Sequence, residues 1–145
     1  MKVAVFGLWH LGSVISACLA AKGHKVVGID ENSGAIHKLS LGEAPLHEPG
    51  LDDLIKEGIV SGNLIFSNIT KESLQDSEIV WVTYDTPVDE NDIADVDYVF
   101  GRVISILPNL SENTLILISS QLPVGSVRYL EKYAEENNIV QPLGQ

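Results

Sequence analysis

The sequence predicts an α/β fold, a doubly wound and mostly parallel sheet with helices on both faces. Apolar runs that read as strands alternate along the chain with stretches of helical period, which is the pattern of successive βαβ units. The runs are short, rich in β-branched residues and apolar on both sides, as strands covered by helices from above and below must be. No internal repeat and no long linker interrupts the 145 residues.

The first strand is expected at Val3 to Phe6. Leu11, Val14, Ile15, Cys18 and Leu19 then recur at helical spacing, a single apolar stripe that makes Cys18 a small buried filler rather than a nucleophile. Gly23 closes this helix just after Lys22, where a left-handed residue is wanted. Val26 to Ile29 forms the second strand. Glu48-Pro49-Gly50 makes a turn into a helix carrying Leu51, Leu54, Ile55 and Ile59. Leu64-Ile65-Phe66 is a further strand candidate, followed by Ile79 to Val82, where Trp81 is expected in the core. The stripe Val96, Val99, Phe100, Val103, Ile104 and Leu107 predicts another helix, Leu115 to Ile118 another strand, and a last helix runs from about Ser126 to Asn137. His24 and His37 read as surface residues at element ends.

Composition narrows the function classes. Hydrophobic residues make up 45% and charged ones 20%, which disfavours disorder, and one domain spanning residues 1–145 is expected. Nine Lys+Arg stand against 20 Asp+Glu, a formal net charge of -11 that repels both a nucleic-acid backbone and an anionic membrane surface. A phosphate-bearing ligand must therefore be held by local geometry. No apolar run approaches the ~18 residues of a membrane span. With a single cysteine and no signal-peptide pattern at the N-terminus, the expected location is cytoplasmic.

The most informative segment is Gly7-Leu8-Trp9-His10-Leu11-Gly12, directly after the first strand and opening the first helix, with Asp30 ending the second strand. In a Rossmann-type dinucleotide turn the first glycine makes the bend, the second admits the pyrophosphate and the third lets helix and strand pack closely. Free N–H groups at the helix start hold the phosphates. Asp30 stands where an acid accepts the adenosine ribose hydroxyls and repels a 2′-phosphate. Neither arginine, Arg102 or Arg128, follows Asp30, so NAD is expected rather than NADP. Trp9 occupies the second glycine's place, and its indole must point away from the phosphates. The candidate cofactor residues here are Gly7, Trp9, His10, Leu11, Gly12 and Asp30. Tyr84 and Thr86 join them because they end a central strand, where a doubly wound fold places its ligand.

Several blocks together resemble the N-terminal NAD-binding domain of the UDP-glucose/GDP-mannose dehydrogenase family. These are Lys2 to Gly7, Ala17 to Ala20, Gly23 to Asp30, the Pro45-Leu46-His47-Glu48-Pro49-Gly50-Leu51 segment, Thr86 to Glu90 with Ala94-Asp95, and Leu122 to Ser126. The resemblance implies an enzyme that oxidises the primary alcohol of a sugar nucleotide to a carboxylate in two hydride transfers to two NAD. It implies that the UDP or GDP end of the substrate is held by a C-terminal domain, that a central helix forms a dimer, and that the nucleophilic cysteine, lysine and aspartate lie downstream of this domain. Residues 1–145 are then expected to be inactive alone, with no catalytic residue of their own. Gln121 stands at the place of a family threonine near the nicotinamide, Asp85 at that of a glycine, and Ala35 at that of a basic residue.

A non-catalytic Rossmann module that binds a nucleotide or a partner chain is the alternative, favoured by Trp9, Asp85 and Gln121. A different Rossmann dehydrogenase, of 6-phosphogluconate or hydroxyacyl-CoA type, has no reason to carry the Pro45 to Leu51 turn. The acids Asp85, Asp89, Glu90, Asp92, Asp95 and Asp97 read as caps and dipole partners of the helix that follows rather than as a metal site. His47 and Glu48 read as loop-ordering residues. Apolar surface left open where further domains would pack points to a homo-oligomer.

Overall fold

The computed structural model describes residues 1–68, 71–137 and 139; the other positions of the expected 1–145 domain lie outside the described residues. Five strands, β1 (Lys2–Phe6), β2 (Lys25–Ile29), β3 (Leu64–Ser67), β4 (Ile79–Val82) and β5 (Leu115–Ile118), form one sheet. Its order is β3-β2-β1-β4-β5 and every pairing is parallel. The chain thus builds outward from β1 in one direction, then returns to its other side, which leaves a crevice beyond the carboxyl ends of β1 and β4.

The helices are α1 (His10–Ala21), α2 (Ser33–Ser40), α3 (Leu51–Val60), the single turn α4 (Lys71–Leu74), α5 (Val96–Ile106) and α6 (Ser126–Glu136). Alternation along β1 divides the core. Val3 and Val5 face Ala17 and Ala20 of α1, Leu39 of α2 and Ile55 of α3. Ala4 and Phe6 face Val99, Val103 and Ile106 of α5 and Leu130 of α6. Both faces of the central strands are therefore covered, as the expected fold requires. Among the described residues no helix is long and apolar enough to cross a membrane.

Two sequence expectations are corrected. Helix α1 does not bury the Leu11, Val14, Ile15, Cys18, Leu19 stripe. It turns its small residues Gly12, Ser13, Ser16, Ala17 and Ala20 inward, Val14, Ile15 and Leu19 are half-buried at the flanks, and Leu11 and Cys18 are exposed. Small side chains let α1 lie closer to the sheet, and the two inward serines satisfy themselves locally, Ser13 donating to Leu8 O at 3.1 Å and Ser16 to Gly12 O at 2.7 Å. Trp81 is half-buried rather than core, its indole N–H donating to Ser119 Oγ at 2.7 Å. The reason is coverage. Trp81 points to the α1 side of the sheet, in register with Leu117, whereas the helices flanking β5, α5 and α6, lie on the other side.

Helix α2 was not expected, since it buries only Leu39. Its signal is the cap: the Asn32 side chain accepts from the N–H groups of Gly34 and Ala35.

A methyl group at Gly12 would stand 1.9 Å from Gly7 O and 2.7 Å from Thr83 Oγ1, whereas one at Gly101, on α5, meets nothing within 4 Å. Gly12→Ala is expected to lower stability by about 1–3 kcal/mol or more through forced displacement of α1. Gly101→Ala should be neutral or stabilise by up to ~1 kcal/mol. Denaturant unfolding of both variants checks the pair.

Candidate functional site

The crevice is built from the ends of three strands. After β1, Gly7 bends the chain at φ +102, a conformation L side chains rarely adopt; a Cβ there would also lie 2.9 Å from the Tyr84 backbone and ring. The turn stays tied to the sheet on both sides. Gly7 N–H donates to Ile29 O at 3.0 Å, and the buried Thr83 hydroxyl donates to Gly7 O at 2.6 Å. Trp9 then caps α1 in ordinary extended backbone, φ -77 and ψ -150, so this position needs no glycine for conformation. Its indole is 52% exposed and stands at the crevice wall.

The crevice encloses about 480 Å³. Of the residues expected at the site, Gly7, Trp9, Asp30 and Tyr84 line it, and Asp85 stands there too. His10, Leu11, Gly12, Thr86 and Gln121 do not. Gly12 lies beneath the turn as the contact that brings α1 close. Thr86 donates to Gln121 O at 2.7 Å and Ser120 to Tyr84 O at 2.6 Å, stitching the segments that leave β4 and β5.

Asp30 organises the crevice floor. One carboxylate oxygen accepts from Leu8 N–H at 2.8 Å and the other from Asn32 N–H at 2.9 Å. A carboxylate has about four lone-pair sites, so each oxygen retains acceptor capacity. At the start of α1, no side chain caps the helix and no acid occupies its first turn, and among the described residues the N–H groups of His10 and Leu11 have no protein acceptor. That end carries the positive pole of the helix. The His10 ring turns aside to Glu48 Oε1 at 2.8 Å, tying the turn to the segment before α3; Glu48 thus orders this region as expected, by reaching α1.

Tyr84 is held edge-on between Phe6 and Tyr98. Its hydroxyl is buried and has no hydrogen-bond partner among the described residues. Burial, reinforced by the negative charge of Asp30, holds the phenol well above its ordinary pKa, so it remains a neutral donor.

Five residues that line the crevice, Glu31, Asn32, Pro87, Tyr98 and Arg102, were missed by sequence reasoning. Arg102, on α5, forms an ion pair with Glu31 and lies 4.8 Å from the Tyr98 ring centroid and 5.7 Å from that of Tyr84. The segments lie 71 positions apart, and no local pattern joins them. Of the acidic run, Asp95 caps α5 by accepting from Tyr98 N–H at 3.0 Å and Asp97 lies in its first turn, whereas Asp89 orders the preceding loop by accepting from the N–H groups of Ile93 and Asn91, which hold its carboxyl below the usual range.

The model of the UDP-glucose/GDP-mannose dehydrogenase family, NAD binding domain, matches residues 1–141. The chain is 34% identical over 139 residues to the UDP-glucose 6-dehydrogenase of Rhizobium meliloti, covering 95% of this chain and 32% of that protein. It is 31% identical over 146 aligned positions to the GDP-mannose 6-dehydrogenase of Pseudomonas aeruginosa, covering 99% of this chain and 31% of that one. The solved UDP-D-ManNAc dehydrogenase of Pyrococcus horikoshii superposes with a TM-score of 0.86 at 28% identity, over 94% of this chain and 32% of that one. The chain thus spans about a third of the length of these relatives.

The orphaned phenol yields a prediction for the ligand-free protein. Tyr84→Phe removes a buried hydroxyl that gains no protein hydrogen bond, so stability should hold or rise by up to ~1 kcal/mol. A fall of more than about 1 kcal/mol in chemical denaturation would show that the hydroxyl has a structural partner.

Proposed function

The chain belongs to the UDP-glucose/GDP-mannose dehydrogenase family, and on that premise we propose that its crevice holds the adenosine and pyrophosphate of NAD, residues 1–145 being the NAD-binding domain of a nucleotide-sugar 6-dehydrogenase. The observation that carries this reading is Asp30. Its carboxylate is fixed by two backbone N–H groups yet keeps a lone pair on each oxygen for the two ribose hydroxyls. The residues present fit the cofactor elsewhere as well. The unpartnered N–H groups of His10 and Leu11 supply donors for the pyrophosphate, and the helix pole adds charge that a chain of net -11 lacks overall. Gly7 and Gly12 allow the backbone approach, and Trp9 forms a wall.

Thr86 and Gln121, joined where β4 and β5 end, are proposed to border the nicotinamide end. When bound, NAD supplies the hydride acceptor. The activity proposed for the whole protein is oxidation of a sugar nucleotide's primary alcohol to the carboxylate: two hydrides pass to two NAD, and water supplies the second carboxylate oxygen. The single cysteine, Cys18, sits on the exposed side of α1 and not in the crevice, so these residues bind and orient the cofactor and bring no thiol to it. The UDP or GDP end of the substrate is then held by other parts of the protein.

Calorimetric titration tests the reading. Saturable NAD binding is expected, weakened at least ~100-fold in Asp30→Ala, since two hydrogen bonds to a charged acceptor are each worth about 1.5–3 kcal/mol. Absence of binding at millimolar NAD, or equal binding by the variant, would overturn it.

A further inference from the structure

The crevice corner beside Asp30 contains a guanidinium that the surrounding sequence does not announce. Arg102 reaches it from α5, supported beneath by the faces of Tyr98 and Tyr84, and ends on the Glu31 carboxylate. Asp30, Glu31 and Arg102 line the same cavity wall. With Asp85, which lines the same cavity, the lining carries three carboxylates and one cation, a net charge of about -2. A cation stacked on two aromatic rings is held in place before any ligand arrives. Its planar fork suits a phosphate, and an arginine near the ribose is the usual host of a 2′-phosphate. Here that fork is already engaged by the residue directly following the ribose acid.

Resting on the proposed placement of the adenosine ribose at Asp30, we propose that Glu31 sets the choice between the two nicotinamide dinucleotides by keeping Arg102 from a 2′-phosphate. The charge sum decides the sign. With Glu31 ionised, a 2′-phosphate meets a cavity of three carboxylates and a cation already neutralised by one of them. With Glu31 made neutral, one negative charge leaves the cavity and the guanidinium is free and oriented, so the phosphate gains a charge-assisted partner. The discrimination is thus an active exclusion built into the corner, with a latent phosphate site behind it. It belongs to an ion pair between two segments distant in sequence and not to the absence of a basic residue after Asp30.

The test is titration of the protein with NAD and with NADP, for the unaltered chain, Glu31→Gln, Glu31→Ser and the double variant Glu31→Gln/Arg102→Ala. Either single substitution should shift the ratio of NADP to NAD affinity about tenfold or more toward NADP, and the added loss of Arg102 should cancel that shift. NAD binding with an unmoved ratio in both single variants would overturn the inference while leaving the cofactor reading intact. So would a shift that survives in the double variant, because the gain would not then come from Arg102. An unaltered chain that binds neither dinucleotide overturns the placement at Asp30 and the inference with it.

Discussion

The crevice depends on how closely the start of α1 approaches the ends of β1 and β4. At Gly12 there is room for a hydrogen and nothing larger, because a methyl would sit 1.9 Å from Gly7 O. That approach lets the Thr83 hydroxyl hold the Gly7 carbonyl at 2.6 Å, and it brings Leu8 N–H to within 2.8 Å of the Asp30 carboxylate. Strand, turn, helix and ribose acid are thus locked by a few short contacts. The inward face of α1 consists of Gly, Ser and Ala for the same reason: larger side chains would lift the helix and open the turn.

Electrostatics follows from that placement. The chain carries excess negative charge, and its acids are used at helix starts away from the phosphate end of the crevice: Asp52 and Asp53 in the first turn of α3, Asp95 capping α5 and Asp97 in its first turn. Helices α1 and α6 have neither an acid there nor a side-chain cap, and of the two only α1 starts at the crevice. An anion can therefore be met by the bare pole of one helix in a protein whose overall field repels it. The same economy of cations appears beside Asp30, where Arg102, one of only two arginines, is matched to Glu31.

Most of the fold was legible in order of segments. All five strands and the helices at α1, α3, α5 and α6 follow from apolar runs and stripes, because burial on a sheet demands those patterns. Helix α2 was not, since a short helix burying one leucine leaves almost no periodic trace, and its cap at Asn32 is a two-contact signal. The inward face of α1 was misread for a related reason. Hydrophobic spacing ranks large apolar residues as buried, but here close approach selects small ones, so Cys18 and Leu11 turn outward and Ser13 and Ser16 turn in. Trp81 was placed in the core on strand position alone, which cannot tell which side of the sheet the flanking helices cover.

By itself the sequence determined the parallel α/β layout, the tight turn at Gly7, the close packing at Gly12 and the acid at the end of β2, because the order of segments gives the first and residues beside a strand end give the others. The tertiary structure alone decided what stands around that acid. Arg102 meets Glu31, His10 meets Glu48 and Thr86 meets Gln121 across 71, 38 and 35 positions. Such contacts are set by strand order and by the height at which each helix rides on the sheet. Local periodicity carries no record of either.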